Sequence, residues 1–127
     1  MPLAIVIGKK AVTDHQNITT LVTKIPEIIA RYLTCNDLGG SLTTPEVDVK
    51  LETFGQHDIS EQDLILTIMA TGFPSRIANL KERTEQISTA LLVTLEDLNF
   101  HGISVGVWIV PVKAEWNQFY IPYVDEE

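Results

Sequence analysis

Residues 1–8 read MPLAIVIG, and this opening stretch guides the interpretation of the rest of the chain. After Pro2 the stretch is apolar throughout, and it ends at a glycine. A short apolar run bounded in this way is typical of a strand that is covered on both faces. We therefore predict a first strand over Leu3–Gly8 that lies in the interior of a sheet.

The residues that follow predict a helix and a second strand. The helix is expected to begin after Asp14, a residue type that often caps helix starts. Pro26 interrupts its apolar stripe, and so either kinks the helix or marks where its main part begins. The second strand is predicted over Glu46–Phe54, where apolar and charged side chains alternate, so that one face is buried and the other polar. The helical stripe consists of Ile18, Leu21, Val22, Ile25, Ile28, Ile29 and Tyr32.

The second half of the sequence repeats this order of elements. A buried strand is predicted over Asp63–Ala70, and a helix capped by Ser75 follows it. A last strand is predicted over Ile103–Val112, with Pro111 at a sheet edge or a bulge. The order βαββαβ indicates an α/β (α+β) domain in which a duplicated βαβ unit forms a sheet packed on two helices. The ferredoxin-like sandwich has the same element order, and the pattern alone does not reveal the strand order that would identify it.

The composition limits the partners of the chain. It has 127 residues, of which 45% are hydrophobic, and a formal net charge of −8. This length predicts a single domain over residues 1–127, and the acidic charge argues against nucleic acid or an anionic membrane as a partner. No apolar run reaches the roughly 20 residues of a membrane span, so we expect a cytoplasmic location.

Neither a metal nor a cofactor is expected from the sequence. Cys35 is the one cysteine, and it is interpreted as a small apolar filler near a helix end. His15, His57 and His101 show no pairing at metal-ligand spacing. The sequence also contains no phosphate-loop or dinucleotide-binding motif.

Pro2 is the first candidate for chemistry. If Met1 is removed, the chain begins with a secondary amine at the start of a buried strand. A free α-amino group has a pKa of about 7.7–8.0, and burial or a nearby cation lowers it, which suits a general base near neutral pH. The simpler interpretation is that Met-Pro is an ordinary start of a chain.

The opening MPLAIVI resembles the start of tautomerase-superfamily proteins, which include macrophage migration inhibitory factor-like and 5-carboxymethyl-2-hydroxymuconate isomerase-like proteins. The length, the two βαβ units and the ending, where Trp116-Asn117 and Phe119 follow the last strand, are also similar. The resemblance implies a homotrimer with active sites at subunit interfaces. It further implies an amino-terminal proline that acts as base on a small enol or 2-keto acid, or as acid in related decarboxylases and hydratases.

The resemblance also implies a site for a small carboxylate-bearing substrate. Arginines just after the third strand commonly hold that carboxylate in relatives, and Arg76 matches this place. An arginine grips a carboxylate through two parallel hydrogen bonds, although a surface arginine on a helix is the plainer interpretation. Phe73 and Trp116 could wall an apolar pocket, or else pack in the core or in an interface. Arg83, further along the helix, is expected to be a solvated charge.

Two departures from the family pattern keep a second hypothesis open. Residues 36–45 contain no Lys or Arg, and Phe73-Pro74 stand where many relatives have glycine and more polar residues. The first hypothesis is a tautomerase- or isomerase-type enzyme with Pro2 as base. The second is a non-catalytic ferredoxin-like or tautomerase-fold module for oligomerisation or ligand binding.

Overall fold

The computed structural model describes residues 2–113 and 117–124. Among these residues no helix combines the length and the apolar character needed to cross a membrane. In chain order the elements are β1 Leu3–Gly8, α1 Lys10–Thr13, α2 Ile18–Leu33, a 3₁₀ turn Thr44–Glu46, β2 Asp48–Thr53, β3 Leu64–Thr71, α3 Pro74–Ala78, α4 Leu80–Asp97 and β4 Val105–Val112.

The strands form a sheet in the order β2-β1-β3-β4. β1 is parallel to β2, β3 is parallel to β4, and the two pairs meet where β1 runs antiparallel to β3. Each βαβ unit therefore keeps its two strands side by side, whereas the ferredoxin-like sandwich has split βαβ units. The strand order excludes the ferredoxin-like alternative and confirms the duplicated βαβ arrangement. It also places β4, and with it Pro111, at a sheet edge, as predicted.

The core lies between one face of the sheet and the two long helices. The strands contribute alternate side chains, because successive residues of a strand point to opposite faces. Full burial of one leucine or isoleucine side chain stabilises the folded state by about 1.5–3 kcal/mol. The most deeply buried side chains are Val6 of β1, Leu64, Leu66 and Ile68 of β3, Leu21, Ile25, Ile29 and Leu33 of α2, and Ile87 and Leu91 of α4.

The first half differs from its prediction at the start of the long helix. Asp14 ends α1, and Asn17 precedes α2, so the prediction that Asp14 caps the long helix was wrong. The backbone N–H of Asp14 donates to carbonyls inside α1, which uses the residue as a carboxyl-terminal cap. Pro26 lies inside α2, and the helix continues through it. Ile25 and Ile29 on either side are fully buried, and their packing holds the helix together across the missing donor.

The second half differs at its helix, which consists of two segments. The break is at Asn79, whose φ of −124° and ψ of 35° are not helical. Phe73 occupies the N-cap position of α3, and Pro74 follows at the start of the helix, where a missing N–H costs nothing. Ser75 lies inside α3, so the prediction that it caps the helix was wrong; its hydroxyl instead donates to Asp37 at 2.6 Å.

The second face of the sheet is open within the described residues; it is largely apolar on β1 and β4, whereas β2 adds the charged Asp48, Lys50 and Glu52. Leu3 is 37% exposed and Trp108 is 63% exposed, and both point to this face. Ile5, Ile7 and Met69 lie beside them and are only partly buried. The prediction that β1 is covered on both faces therefore fails for a single chain, since α2 and α4 cover only one.

Candidate functional site

Pro2 lies at the start of β1 and is buried. Its carbonyl oxygen accepts a hydrogen bond from the N–H of Asp48 at 3.1 Å, which ties it to the start of β2. On the other side of β1, Leu3 is opposite Met69, and one further step of this antiparallel register sets Pro2 opposite Ala70. Pro2 is thus tied to the start of β2 by a backbone hydrogen bond and lies beside the end of β3.

The topology gathers four chain segments at the Pro2 end of the sheet. β1 and β2 begin there, and β3 and β4 end there. Ala70 of β3 is opposite Pro111 of β4, so Pro2, Ala70 and Pro111 lie in one row across the sheet. Because neighbouring strands are about 4.8 Å apart, the row from Pro2 to Pro111 spans about 10 Å.

Arg76 approaches this end of the sheet from α3. It is 2% exposed, and its guanidinium is held by backbone carbonyls on three sides. Nε donates to the carbonyl of Leu33 at 2.9 Å, Nη1 to that of Thr71 at 2.7 Å and Nη2 to that of Gly40 at 3.2 Å. Arg76 therefore joins the end of α2, the end of β3 and the loop between α2 and β2.

The buried position of Arg76 has an electrostatic consequence. Desolvation lowers the pKa of its guanidinium from the usual value, and the neighbouring Arg83 lowers it as well. An arginine nevertheless stays protonated in a protein. Arg76 is thus a permanent positive charge beneath the surface, oriented by the three carbonyls.

The loop that Arg76 holds is also fixed by Asp37. Its Oδ2 accepts hydrogen bonds from the hydroxyl of Ser75 at 2.6 Å and from the N–H of Ser75 at 3.2 Å. These bonds, the hydroxyl's above all, lower the pKa of the Asp37 carboxyl from its ordinary value. Sequence reasoning missed Asp37, because an aspartate in a glycine-rich loop gives no signal of a partner 38 residues away.

Arg83 is not the solvated charge that the sequence predicted. Its Nη1 donates to the carbonyl of Tyr32 at 2.8 Å and to that of Thr34 at 2.9 Å. The last carbonyls of a helix have no partner within the helix, and a cation there interacts favourably with the helix dipole. Arg83 thus caps α2, and the prediction was wrong because the acceptors lie in the other βαβ unit.

Phe73 lies against Arg76, whereas Trp116 is outside the described residues. The guanidinium carbon of Arg76 is 5.2 Å from the centroid of the Phe73 ring, within the range of a cation–π contact. The ring also borders Gly39 in the loop after α2. The structure therefore brings Phe73 and Arg76 together next to the strand end that pairs with Pro2.

Two grooves on the surface differ in their relation to this site. The first, of about 420 Å³, lies at the ends of β3 and β4 and is lined by Thr71, Gly72, Ile77, Pro111, Val112 and Lys113. The second is larger, about 680 Å³, and runs between α2 and α4. Its walls carry charges of both signs, and it does not include the strand ends. The smaller groove touches the row from Pro2 to Pro111 at its Pro111 end, and Pro2 is not among its lining residues.

Comparisons with known proteins identify the fold. No family model matches the sequence, and no curated protein matches it significantly. A solved 5-carboxymethyl-2-hydroxymuconate delta-isomerase superposes with a TM-score of 0.67 at 13% identity, over 94% of this chain and 88% of the other. Malonate semialdehyde decarboxylase gives 0.64 at 14% identity, over 93% and 91%.

A third structure extends this similarity to another protein of the same fold. The macrophage migration inhibitory factor-like protein of Entamoeba histolytica has a TM-score of 0.61 at 13% identity, over 94% of this chain and 96% of the other. Identities this low establish the fold and not the activity. The strand order, the duplicated βαβ units and these superpositions together show that the chain has the fold of the tautomerase superfamily.

Proposed function

We propose that the protein is a tautomerase- or isomerase-type enzyme that uses Pro2, exposed as the chain terminus by removal of Met1, as general base. The substrate is a small enol or 2-keto acid. The observation that carries the proposal is the burial of Pro2 at the strand end where Thr71 and the cationic Arg76 meet. Among the structural neighbours, malonate semialdehyde decarboxylase was solved also as a variant whose first residue, a proline, is changed to alanine.

The proposed reaction is a proton transfer between oxygen and carbon. The unprotonated nitrogen of Pro2 takes the proton from the enol hydroxyl, and the oxygen electron pair forms the carbonyl. The electron pair of the carbon–carbon double bond then takes a proton at carbon from the protonated amine. Burial and a nearby cation both favour the neutral amine, so the base is available near neutral pH.

Arg76, Phe73 and Trp116 are the proposed substrate-binding residues. Arg76 contributes a positive charge that stabilises a carboxylate or a developing enolate from beneath the surface. Phe73 and Trp116 supply apolar walls. A guanidinium has five N–H groups, and the bonds to three carbonyls do not use its full capacity.

The proposed assembly is a homotrimer. The open face of the sheet carries Leu3, Ile5, Ile7 and Trp108, and an apolar face of this kind favours contact with another subunit. Among the structural neighbours are fused 4-OT proteins described as symmetric trimers.

A second candidate is a tautomerase-fold protein that assembles without catalysing a reaction. The observation in its favour is the burial of Arg76, because a guanidinium that is 2% exposed and tied to three backbone carbonyls presents little surface to a ligand. A carboxylate anchor inside a catalytic site would have its remaining N–H groups open to the ligand. The two candidates differ in the reactivity of Pro2.

The test is the labelling of Pro2 by 2-oxo-3-pentynoate, which inactivates a structural neighbour of 15% identity. The proline nitrogen forms a bond to the alkyne carbon remote from the ketone. The π electron pair moves to the adjacent carbon, which takes the proton from nitrogen, so the adduct retains every atom of the reagent. The experiment uses protein expressed from its own initiator methionine, and it measures the intact mass and the position of the adduct.

We expect a mass without Met1 and one fast adduct on Pro2. Pro2→Ala, which also begins with a free amine, is the matched control, and its terminus should react much more slowly. Retention of Met1, or equal reaction rates for proline and alanine, would contradict the enzyme proposal and favour the non-catalytic candidate.

A further inference from the structure

β4 is an edge strand without the charges that usually protect such an edge. The sheet order places β2 at one edge and β4 at the other. β2 carries Asp48, Lys50 and Glu52, whereas β4, which reads VGVWIVPV, has no charged side chain. A long apolar edge strand is a template for pairing with another chain, and natural proteins place charges or prolines there to prevent it. Pro111 protects only the end of β4, so the rest of this edge is open to an added strand.

An apolar groove of about 270 Å³ lies beside this edge, between α4 and β4. Val105 and Val107 line it, and they are opposite Leu64 and Leu66 of the core, so the groove is on the helix side of the sheet. Leu92, on the α4 wall, is 55% exposed. The core of the domain therefore reaches the surface along β4. The other lining residues are Ser88, Leu91, Leu95 and Ile103.

The carboxyl-terminal tail is the complementary feature of the chain. Residues 117–124 form neither helix nor strand, and like β4 they carry no charge. Their large apolar side chains are between 76% and 93% exposed. A contiguous apolar surface of this kind marks a contact site, because water solvates it poorly. The exposed side chains are Phe119, Tyr120, Ile121, Tyr123 and Val124.

The tail also has the length and the proline position of an added edge strand. The eight residues of β4 and the eight residues 117–124 each span about 26 Å when extended. N–H groups alternate in direction along a strand, so when Phe119, Ile121 and Tyr123 pair with β4, the missing donor of Pro122 is on the outer side. An outermost strand tolerates a proline there. Ile121 is then in the middle of the paired face.

We propose that residues 117–124 of one copy of the chain add a strand to the outer edge of β4 of a second copy, with Ile121 packed in the groove beside Leu92. In this mode of recognition main-chain hydrogen bonds supply the affinity, and the groove selects the side chain. The contact is heterologous, because the tail and the edge are different surfaces, and a ring that closes after three copies is the proposed homotrimer. The inference rests on that proposed assembly and does not depend on the reactivity of Pro2.

The test is disulfide formation between two variants, Leu92→Cys and Ile121→Cys, which are unfolded together in urea, refolded and oxidised. The buried Cys35 is present in every protein, and wild type measures its background. In one control Val93→Cys replaces Leu92→Cys, because Val93 is 52% exposed but lines the groove between α2 and α4. In the other, Tyr120→Cys replaces Ile121→Cys, because its side chain points to the opposite face of the added strand.

We expect a disulfide that joins one Leu92→Cys chain to one Ile121→Cys chain, read as an intact mass without reducing agent. Its yield should exceed the yield with either control. Absence of this mixed disulfide, or an equal yield with Val93→Cys, would overturn the docking of the tail at β4. In the double variant Leu92→Cys/Ile121→Cys, a disulfide formed only within single chains would assign the tail to its own chain and would also overturn the proposal.

Sedimentation velocity separates this contact from the trimer itself. Ile121→Asp should raise the protein concentration at which the assembly is half dissociated about tenfold or more, because a charge replaces an apolar side chain in the groove. Val93→Asp, on the helix layer, should leave that concentration unchanged. An equally strong assembly in Ile121→Asp would reject the tail contact and leave the trimer in place. A wild type that is monomeric at every concentration would reject both, whereas the labelling of Pro2 would still test the proposed base.

Discussion

Nε of Arg76 donates a hydrogen bond to the carbonyl oxygen of Leu33 across 2.9 Å, and this bond connects the second βαβ unit to the last residue of α2 in the first. Arg83 reaches the same helix end through the carbonyls of Tyr32 and Thr34. The two arginines thus bind the end of a helix to which neither belongs. The contact between the units is therefore polar at this end as well as apolar in the core.

Replacement of Arg76 by methionine tests this connection. Arg76→Met removes three charge-assisted hydrogen bonds and leaves buried carbonyls without donors, so we expect a loss of about 3 kcal/mol in the free energy of unfolding. Arg76→Lys should lose less, because an ammonium replaces part of the donor set. The measurement is equilibrium unfolding in urea.

Arg31→Met is the control for the change in charge. Arg31 is exposed on α2, and its guanidinium carbon is 5.4 Å from the centroid of the Tyr32 ring. Arg31→Met should lower the free energy of unfolding by less than about 1 kcal/mol. Equal losses for Arg31→Met and Arg76→Met would show that the buried bonds of Arg76 do not stabilise the fold.

A side chain at Gly40 should destabilise the loop that Arg76 holds. A Cβ there would overlap Sγ of Cys35 and would be 3.0 Å from the carbonyl oxygen of Cys35. Gly40→Ala should therefore cost about 2 kcal/mol of unfolding free energy, as overpacking does. Combining it with Cys35→Ala should recover part of the loss, since the carbonyl contact remains.

Gly106→Ala is the control for the effect of alanine itself. A Cβ at Gly106 would be 3.6 Å from Cγ of Gln62, which is an ordinary contact. We expect no loss of stability for Gly106→Ala, and chemical denaturation of the three variants and wild type measures the difference. If Gly40→Ala behaves like Gly106→Ala, the loop is not packed tightly against Cys35.

The hydrogen bonds from Ser75 to Asp37 should make stability depend on pH. They lower the pKa of Asp37 in the folded state below its value of about 3.9 in an unfolded chain. Such a group stabilises the fold at pH values above its unfolded pKa, and this contribution is lost as the pH falls through the folded pKa. The stability difference between wild type and Asp37→Asn should therefore be constant near neutral pH and shrink below about pH 4.

Urea unfolding of both proteins over a pH series measures this difference. Ser75→Ala keeps the backbone donor and loses the hydroxyl. In this variant the pKa of Asp37, measured by NMR titration of the carboxyl, should lie closer to its ordinary value. A stability difference that remains unchanged through acid pH would show that the Ser75 bonds do not lower the pKa of Asp37.

The open face of the sheet should be the site of subunit contact. Ile5 is on this face in the centre of the sheet, opposite Lys50 of β2 and Thr67 of β3. Ile5→Glu should dissociate the proposed trimer, because an assembly would bury the new carboxylate, and Lys50 beside it is already paired with Glu52 at 2.9 Å. The folded monomer should survive, since the face is open within the described part of one chain. Sedimentation velocity reports the mass of the assembly.

Val93→Glu is the matched control on the helix layer. Val93 is 52% exposed and lines the groove between α2 and α4, away from the open face. Val93→Glu should leave the sedimentation coefficient unchanged. A trimer that persists in Ile5→Glu, or an equal dissociation in both variants, would exclude the open sheet face as the interface.

The sequence by itself determined the order of the elements and the place of Pro2. Apolar runs such as Leu64–Thr71 and the stripe on α2 are local patterns, and their periods of two and 3.6 residues specify strand and helix without reference to the rest of the chain. The resemblance to tautomerase-superfamily proteins was drawn from the opening MPLAIVI, the length, the two βαβ units and the ending, and the fold confirms the duplicated βαβ units.

Only the tertiary structure decided the strand order and the environment of Arg76. The acceptors of Arg76 in Leu33 and Gly40 are 43 and 36 residues away, and no local pattern encodes such a pairing. The pairing of β1 with β3 likewise brings Pro2 to the end of a strand in the other βαβ unit. Hydrogen bonds between distant segments form only after the chain has folded, and for this reason a buried arginine and a surface arginine look alike in sequence.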